Sequence, residues 1–205
     1  SGIIWDTASG SIDYSTSTYG QPGTDPDSYC KFADLYIANV DNGILINGSS
    51  SVPRNNYIEN VTVREFADTG IGGNSSSDNV INRCFVQSGR ANNCVGIETP
   101  GGSTIITNCK VAYTSINPTT GGVGYVLSSS RGFISGCESQ DNPYGINITG
   151  SQSVVTGLKV DTQVTNSGVG VRAVYIGANN VKFDGQIQTR DSGTWDRALE
   201  FSSGS

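Results

Sequence analysis

A chain of 205 residues with 35% hydrophobic content fits one domain with a continuous but narrow core. Its 27 glycines, 15% charged residues and abundant Ser, Thr and Asn favour strands and turns over helices. A net charge of −6 with scattered Lys and Arg argues against nucleic acid and anionic membranes as partners, and no apolar run approaches the roughly 20 residues of a membrane span.

The chain has no histidine, which removes the commonest general base and metal ligand and the Ser-His-Asp and Cys-His nucleophile systems. Any chemistry therefore falls to carboxylates, Lys, Arg or Tyr, with no cofactor and no metal expected. With no methionine, the chain is expected to be a mature product or a piece of a longer one. Residues 1–29 are expected to form a lead-in or first partial coil, ahead of a repeating domain over residues 30–205.

In chain order, one short phrase recurs. A partial copy runs from Phe32 to Ile37, followed by full copies at Tyr57 to Val63, Val80 to Val86, Ile105 to Val111, Phe133 to Ser139, Val154 to Val160 and, loosely, Val181 to Ile187. The fifth position of each copy is Leu35, Val61, Cys84, Cys109, Cys137, Leu158 and Gly185, so the period wanders around the length of one solenoid coil. After each phrase comes a loop and a second apolar strand usually opened by glycine: Gly43-Ile44-Leu45-Ile46, Gly70-Ile71, Gly96-Ile97-Glu98-Thr99, Gly124-Tyr125-Val126-Leu127 and Gly145-Ile146-Asn147-Ile148, with Val174-Tyr175-Ile176 and Leu199-Glu200-Phe201 completing the series.

This pattern predicts an all-β, single-stranded right-handed parallel β-helix of about seven coils. Each coil is too thin to bury its own side chains, so stability comes from stacking neighbours about 4.8 Å apart with shared ladder hydrogen bonds. The fourth position (Asn60, Arg83, Asn108, Gly136, Gly157, Asp184) is largely the set that tolerates a left-handed backbone, which predicts a corner there. Positions five and seven then point inward and position six outward. Cys84, Cys109 and Cys137 should stack as a buried column of free thiols, since three in one row cannot all pair with each other, and Cys30 and Cys94 lie too far apart in coil number to pair readily. Asp25, Asp27 and Asp41 lack a calcium-loop pattern and are read as solvated turn residues.

The loops between each phrase and the glycine-led strand vary in length, at residues 38–42, 64–69, 87–95, 112–123, 140–144, 161–172 and 188–197. Insertions on one edge of a solenoid build the walls of a groove whose floor is the adjacent strand. The outward floor positions are Leu45, Gly72, Glu98, Val126, Asn147, Tyr175 and Glu200. Glu98, the carboxylate in the middle, is the first candidate for catalysis, with Asp68, Asp141 or Glu65 as the second carboxyl group a glycosidase requires. Arg90 and Tyr113 are candidates to orient a sugar, Tyr144, Tyr175 and Trp195 offer stacking faces, and Asn147 is a further candidate for substrate binding from the floor. The alternative for Glu98 is a solvated residue paired with Arg90 or Arg64.

The phrases, together with Gly43-Ile44-Leu45-Ile46 and Glu59-Asn60-Val61-Thr62-Val63-Arg64, resemble the pectate-lyase-like right-handed parallel β-helix superfamily over about residues 30–201. Within it the Ser, Gly and Asn-rich texture is most similar to the β-helix of a bacteriophage tailspike or tail fibre. That resemblance implies a homotrimer on a virion tail or otherwise outside the cell, binding a bacterial surface polysaccharide and depolymerising it by carboxylate-based cleavage. A non-enzymatic adhesin or structural virion shaft with the same fold is the alternative. The chain lacks the His of polygalacturonase-like members and shows no pectate-lyase arginine motif, which points away from plant-wall pectin.

Overall fold

The computed structural model describes residues 4–5, 12–15, 31–47, 55–74, 77–116, 121–162, 171–189 and 195–202, and among them every regular element is a β-strand paired in parallel with its neighbours. Cys30, Asp25, Asp27 and parts of the loops at 112–123, 161–172 and 188–197 lie outside the described residues.

The strands form three faces. The first stacks Lys31–Ala33, Tyr57–Glu59, Val80–Asn82, Ile105–Thr107, Phe133–Ser135 and the opening halves of Val154–Thr162 and Lys182–Thr189. The second stacks Ile4–Trp5, Tyr36–Val40, Thr62–Phe66, Phe85–Gln87, Lys110–Ala112, Glu138–Gln140 and the closing halves of the same two long strands. The third stacks Ile12–Ser15, Ile44–Asn47, Thr69–Asn74, Val95–Glu98, Val123–Leu127, Tyr144–Ile148, Arg172–Ile176 and Arg197–Phe201. Seven first-face strands lie from Lys31 to Lys182, so the solenoid makes about six turns between the first and last, close to the seven coils expected. Strands Ile4–Trp5 and Ile12–Ser15 add a partial coil before them.

One corner was legible in the sequence; the structure has three. At the first, Asp34, Asn60, Arg83, Asn108, Gly136 and Gly157 all have φ between 53° and 62°. At the second, between the second and third faces, stand Asn39, Glu65, Ser88, Tyr113 and Asp141. At the third, leading back to the first face, stand Asn55, Asp78, Ser103, Arg131, Gln152 and Asn180. Every described non-glycine residue with positive φ belongs to one of these columns. A left-handed residue costs about 1–2 kcal/mol, less for Asn and Asp. The inter-coil ladder offsets it, because the corner N–H donates to a carbonyl of the next coil: Asn60 to Asn82 (3.0 Å), Ser88 to Ala112 (3.1 Å) and Ser103 to Ser130 (3.2 Å) show the bond at each corner.

The inward positions form one continuous core. Positions two, five and seven of the phrase are buried through the central coils, as Ile81, Cys84 and Val86 or Ile106, Cys109 and Val111 show. Cys84, Cys109 and Cys137 are free and stacked, with the backbone N–H of Cys84 donating to Cys109 Sγ and that of Cys109 to Cys137 Sγ, both at 3.4 Å. Cys94 is also free and fully buried. The glycines opening the third-face strands form a column of their own, since a Cβ on Gly70, Gly96 or Gly145 would strike a second-face valine and a backbone carbonyl of the next coil.

The last phrase departs from expectation. Lys182 pairs with Val154, Asp184 with Thr156 and Gly185 with Leu158, so Gly157 has no counterpart and the last coil lacks its first-corner residue. Asp184 is therefore a strand residue at position three, not a corner, and Phe183 takes the inward second position.

Candidate functional site on the third face

The third face positions its outward side chains through a local irregularity. Along Val95–Glu98 the glycine and the isoleucine both turn inward, while Val95 and Glu98 face out. The same arrangement recurs in Val123–Leu127, Tyr144–Ile148 and Arg172–Ile176. Register then aligns Glu98 with Val126, Val126 with Asn147, Asn147 with Tyr175 and Tyr175 with Glu200, while Leu45 aligns with Gly72. The outward column deduced from alternation is thus a register column from Glu98 to Glu200. A Cβ at Gly72 would lie 2.9 Å from Thr69 Cγ2 and 3.2 Å from Glu98 Cβ, so the glycine lets these two side chains pack closely against its backbone.

Glu98 makes no ion pair among the described residues, since Arg90 and Arg64 are engaged elsewhere. The Arg90 guanidinium donates to Asn39 Oδ1 at 2.6 Å and to the Val40 carbonyl at 3.1 Å, and lies 3.9 Å from Asp41, bracing the second corner two coils away. Arg64 lies against the Gln87 side-chain amide. The Ser128 hydroxyl donates to Glu98 Oε1 at 3.2 Å. Partial burial pushes the Glu98 carboxyl above the usual glutamate range, the Ser128 hydrogen bond opposes that rise, and the negative charge of Asp68 adds to it. Asp68, exposed immediately before strand Thr69–Asn74 of the preceding coil, is therefore electrostatically coupled to Glu98.

Asp141 is placed differently. It is a second-corner residue, 4% exposed, whose carboxylate accepts from Gln140 Nε2 at 3.0 Å. Tyr113 is also a second-corner residue, with its ring exposed. Asn147 and Tyr175 lie on the floor beyond Val126. Trp195 packs partly against the core, and its indole nitrogen is buried with no hydrogen-bond partner among the described residues.

Two contributors escaped the sequence. Arg172, in the outward column at the start of its strand, places its guanidinium 4.7 Å from the Tyr175 ring centroid and 5.8 Å from that of Tyr144, and pairs with Glu200 at 3.0 Å. Its three-residue spacing from Tyr175, matching Val95 to Glu98, was the available signal. Ser128 sits in a turn 30 residues from Glu98, and no sequence pattern marks it. Among the described residues no three His, Cys, Asp or Glu side chains are grouped to hold a metal ion.

Comparison with curated proteins and with solved structures finds no match. A family model described as a right-handed beta helix region matches residues 23–186, from before the first described first-face strand to the last of them. With a three-faced parallel solenoid in its structure and that model spanning most of its length, the chain belongs to the right-handed β-helix family.

Proposed function

We propose that the third face binds a bacterial surface polysaccharide and that Glu98 and Asp68 cleave it by hydrolysis. The observation that carries this reading is the pairing of two carboxyl groups in unlike surroundings. Glu98 is half-buried and held toward its protonated form, while Asp68 is exposed. On this reading Glu98 is the general acid and the exposed Asp68 the second carboxyl group that a glycosidase requires. Glu98 passes its proton to the glycosidic oxygen as the bond to the anomeric carbon breaks and its electron pair moves to that oxygen. Asp68 takes a proton from the water that attacks the carbon. Val126, Asn147 and Tyr175 provide an uncharged floor beside this pair, and β-helix proteins often bind or cleave polysaccharides.

The reading extends to a tailspike or tail-fibre domain acting on a virion tail as a homotrimer, with Tyr36 and Phe85 on the outward column of the second face available for contact between copies. Sedimentation equilibrium tests the trimer, and a monomer removes it. Incubating the purified chain with a panel of capsular and O-antigen polysaccharides and measuring new reducing ends tests the activity. The wild type is expected to release oligosaccharides from one of them, and Glu98→Gln and Asp68→Asn to reduce release at least a hundredfold, the lower range of acid–base contributions at about 10²–10⁴. Binding without release by the wild type would instead favour a non-enzymatic adhesin or shaft. The Arg172, Tyr144 and Tyr175 cluster supports that second reading, since it offers stacking surface without a reacting group.

A further inference from the structure

We infer that Ser128 is a positioning residue for Glu98: held in place by the buried Thr99, its hydroxyl donates to Oε1 and leaves Oε2 as the oxygen that carries the transferable proton. The inference rests on the reading of Glu98 as the acid and adds a residue from the following coil to its site.

Thr99 follows Glu98 directly and points the other way, into the core, where it is 2% exposed. Its N–H donates to the Val126 carbonyl at 2.9 Å, locking the two coils together. Its Oγ1 accepts from the backbone N–H of Ser128 at 3.2 Å and of Ser129 at 3.4 Å, and the Ser129 hydroxyl is 2.9 Å away. The turn after strand Val123–Leu127 is thus clamped by the residue next to Glu98, and the clamp brings the Ser128 hydroxyl over the carboxyl. Among the described residues the charge that acts on the carboxyl is that of Asp68 in the preceding coil, while the following coil presents the uncharged Val126 and Ser128. A hydroxyl bond to Oε1 orients the group and also favours the carboxylate that forms once the proton has left, so the residue assists both before and after transfer.

The test uses the full chain with ¹³C-labelled glutamate carboxyls, the Glu98 signal being assigned by its loss in Glu98→Gln. Titration is followed in wild type, Ser128→Ala and Ser128→Thr, and the rate–pH profile is measured on any polysaccharide the chain cleaves. Ser128→Ala is expected to move the Glu98 titration to higher pH and carry the alkaline limb of the rate profile with it, while Ser128→Thr, which keeps the hydroxyl, restores the wild-type position. Asp68→Asn, which removes the repelling charge, moves the titration the other way and shows that the signal responds. A Glu98 titration that stays put or falls in Ser128→Ala, or is not restored by Ser128→Thr, overturns the positioning role. If the titration responds as expected but Glu98→Gln still cleaves, the positioning stands and the assignment of Glu98 as acid falls.

Discussion

Replacing Gly96 by alanine should damage the fold far more than its single methyl suggests. The added Cβ would sit 2.2 Å from Val111 Cγ1 and 2.6 Å from the Gly124 carbonyl oxygen, where ordinary contact is about 3.5–4.0 Å. Val111 is fully buried and the carbonyl belongs to the next coil's backbone, so neither can withdraw without opening the stack. Overpacking of this kind costs about 1–3 kcal/mol, and the backbone clash places Gly96→Ala near 3. For a chain of this length each kcal/mol lowers Tm by about 2–4 °C, giving a drop of roughly 6–12 °C by calorimetry or far-UV circular dichroism. Gly157→Asn is the matched control. Its φ is +62°, the nearest atoms to a new Cβ are at 3.6 and 3.9 Å, and Asn60 and Asn108 already occupy that corner. It should change stability by less than about 0.5 kcal/mol, because the entropy removed from the unfolded chain offsets mild backbone strain. A Tm for Gly96→Ala within a degree of wild type, or an equal loss in Gly157→Asn, would refute the stacking derived for this column.

Other perturbations bear on the core and the charges. In a Cys30→Ser background the remaining thiols should resist a thiol-specific reagent until denaturant is added, because Cys84, Cys94, Cys109 and Cys137 are at most 3% exposed, and the hydrogen bonds that the Cys109 thiol donates toward Cys137 and Cys84, together with burial, hold it protonated; rapid labelling of the native chain would contradict this. Glu98→Gln should stabilise the chain at pH 7 and not at pH 3. The folded carboxyl titrates above the unfolded one, so its contribution is intact at low pH and is lost as pH rises through the folded value, and the amide removes that loss; equal melting shifts at both pH values would count against it. Lys159→Met should cost more than Lys110→Met, about 1–3 against under about 1 kcal/mol in denaturant titrations, because Lys159 lies 2.7 Å from the buried Asp161 carboxylate while Lys110 meets only the partly exposed Glu138. Equal costs would show that burial of the Asp161 carboxylate does not distinguish them.

The core was legible because a parallel stack repeats one burial pattern: Val61, Cys84, Cys109, Cys137 and Leu158 recur at one position and all are buried. Two of the three corners were not, since Glu65, Ser88, Tyr113 and Asp141 share a left-handed backbone imposed by bonds between coils, not by residue preference. Asp184 was misplaced because a one-residue deletion at the last corner shifts alternation by one, which a spacing argument reads as an unbroken phrase. Alternation was enough to place Glu98 on the outward column of the third face with Val126, Asn147 and Tyr175. It could not reveal that Asp141 turns into a corner, that Arg90 reaches back two coils, or that Ser128 arrives from the coil beyond.

Glu98 on the third face and Asp68 at its edge are proposed to act on a glycan held there. A crystal structure of Glu98→Gln bound to an oligosaccharide from the polysaccharide it recognises tests it most directly. The account predicts a glycosidic oxygen against residue 98, with sugar rings on the floor formed by Val126, Asn147 and Tyr175; an oligosaccharide seated on the first or second face would contradict it.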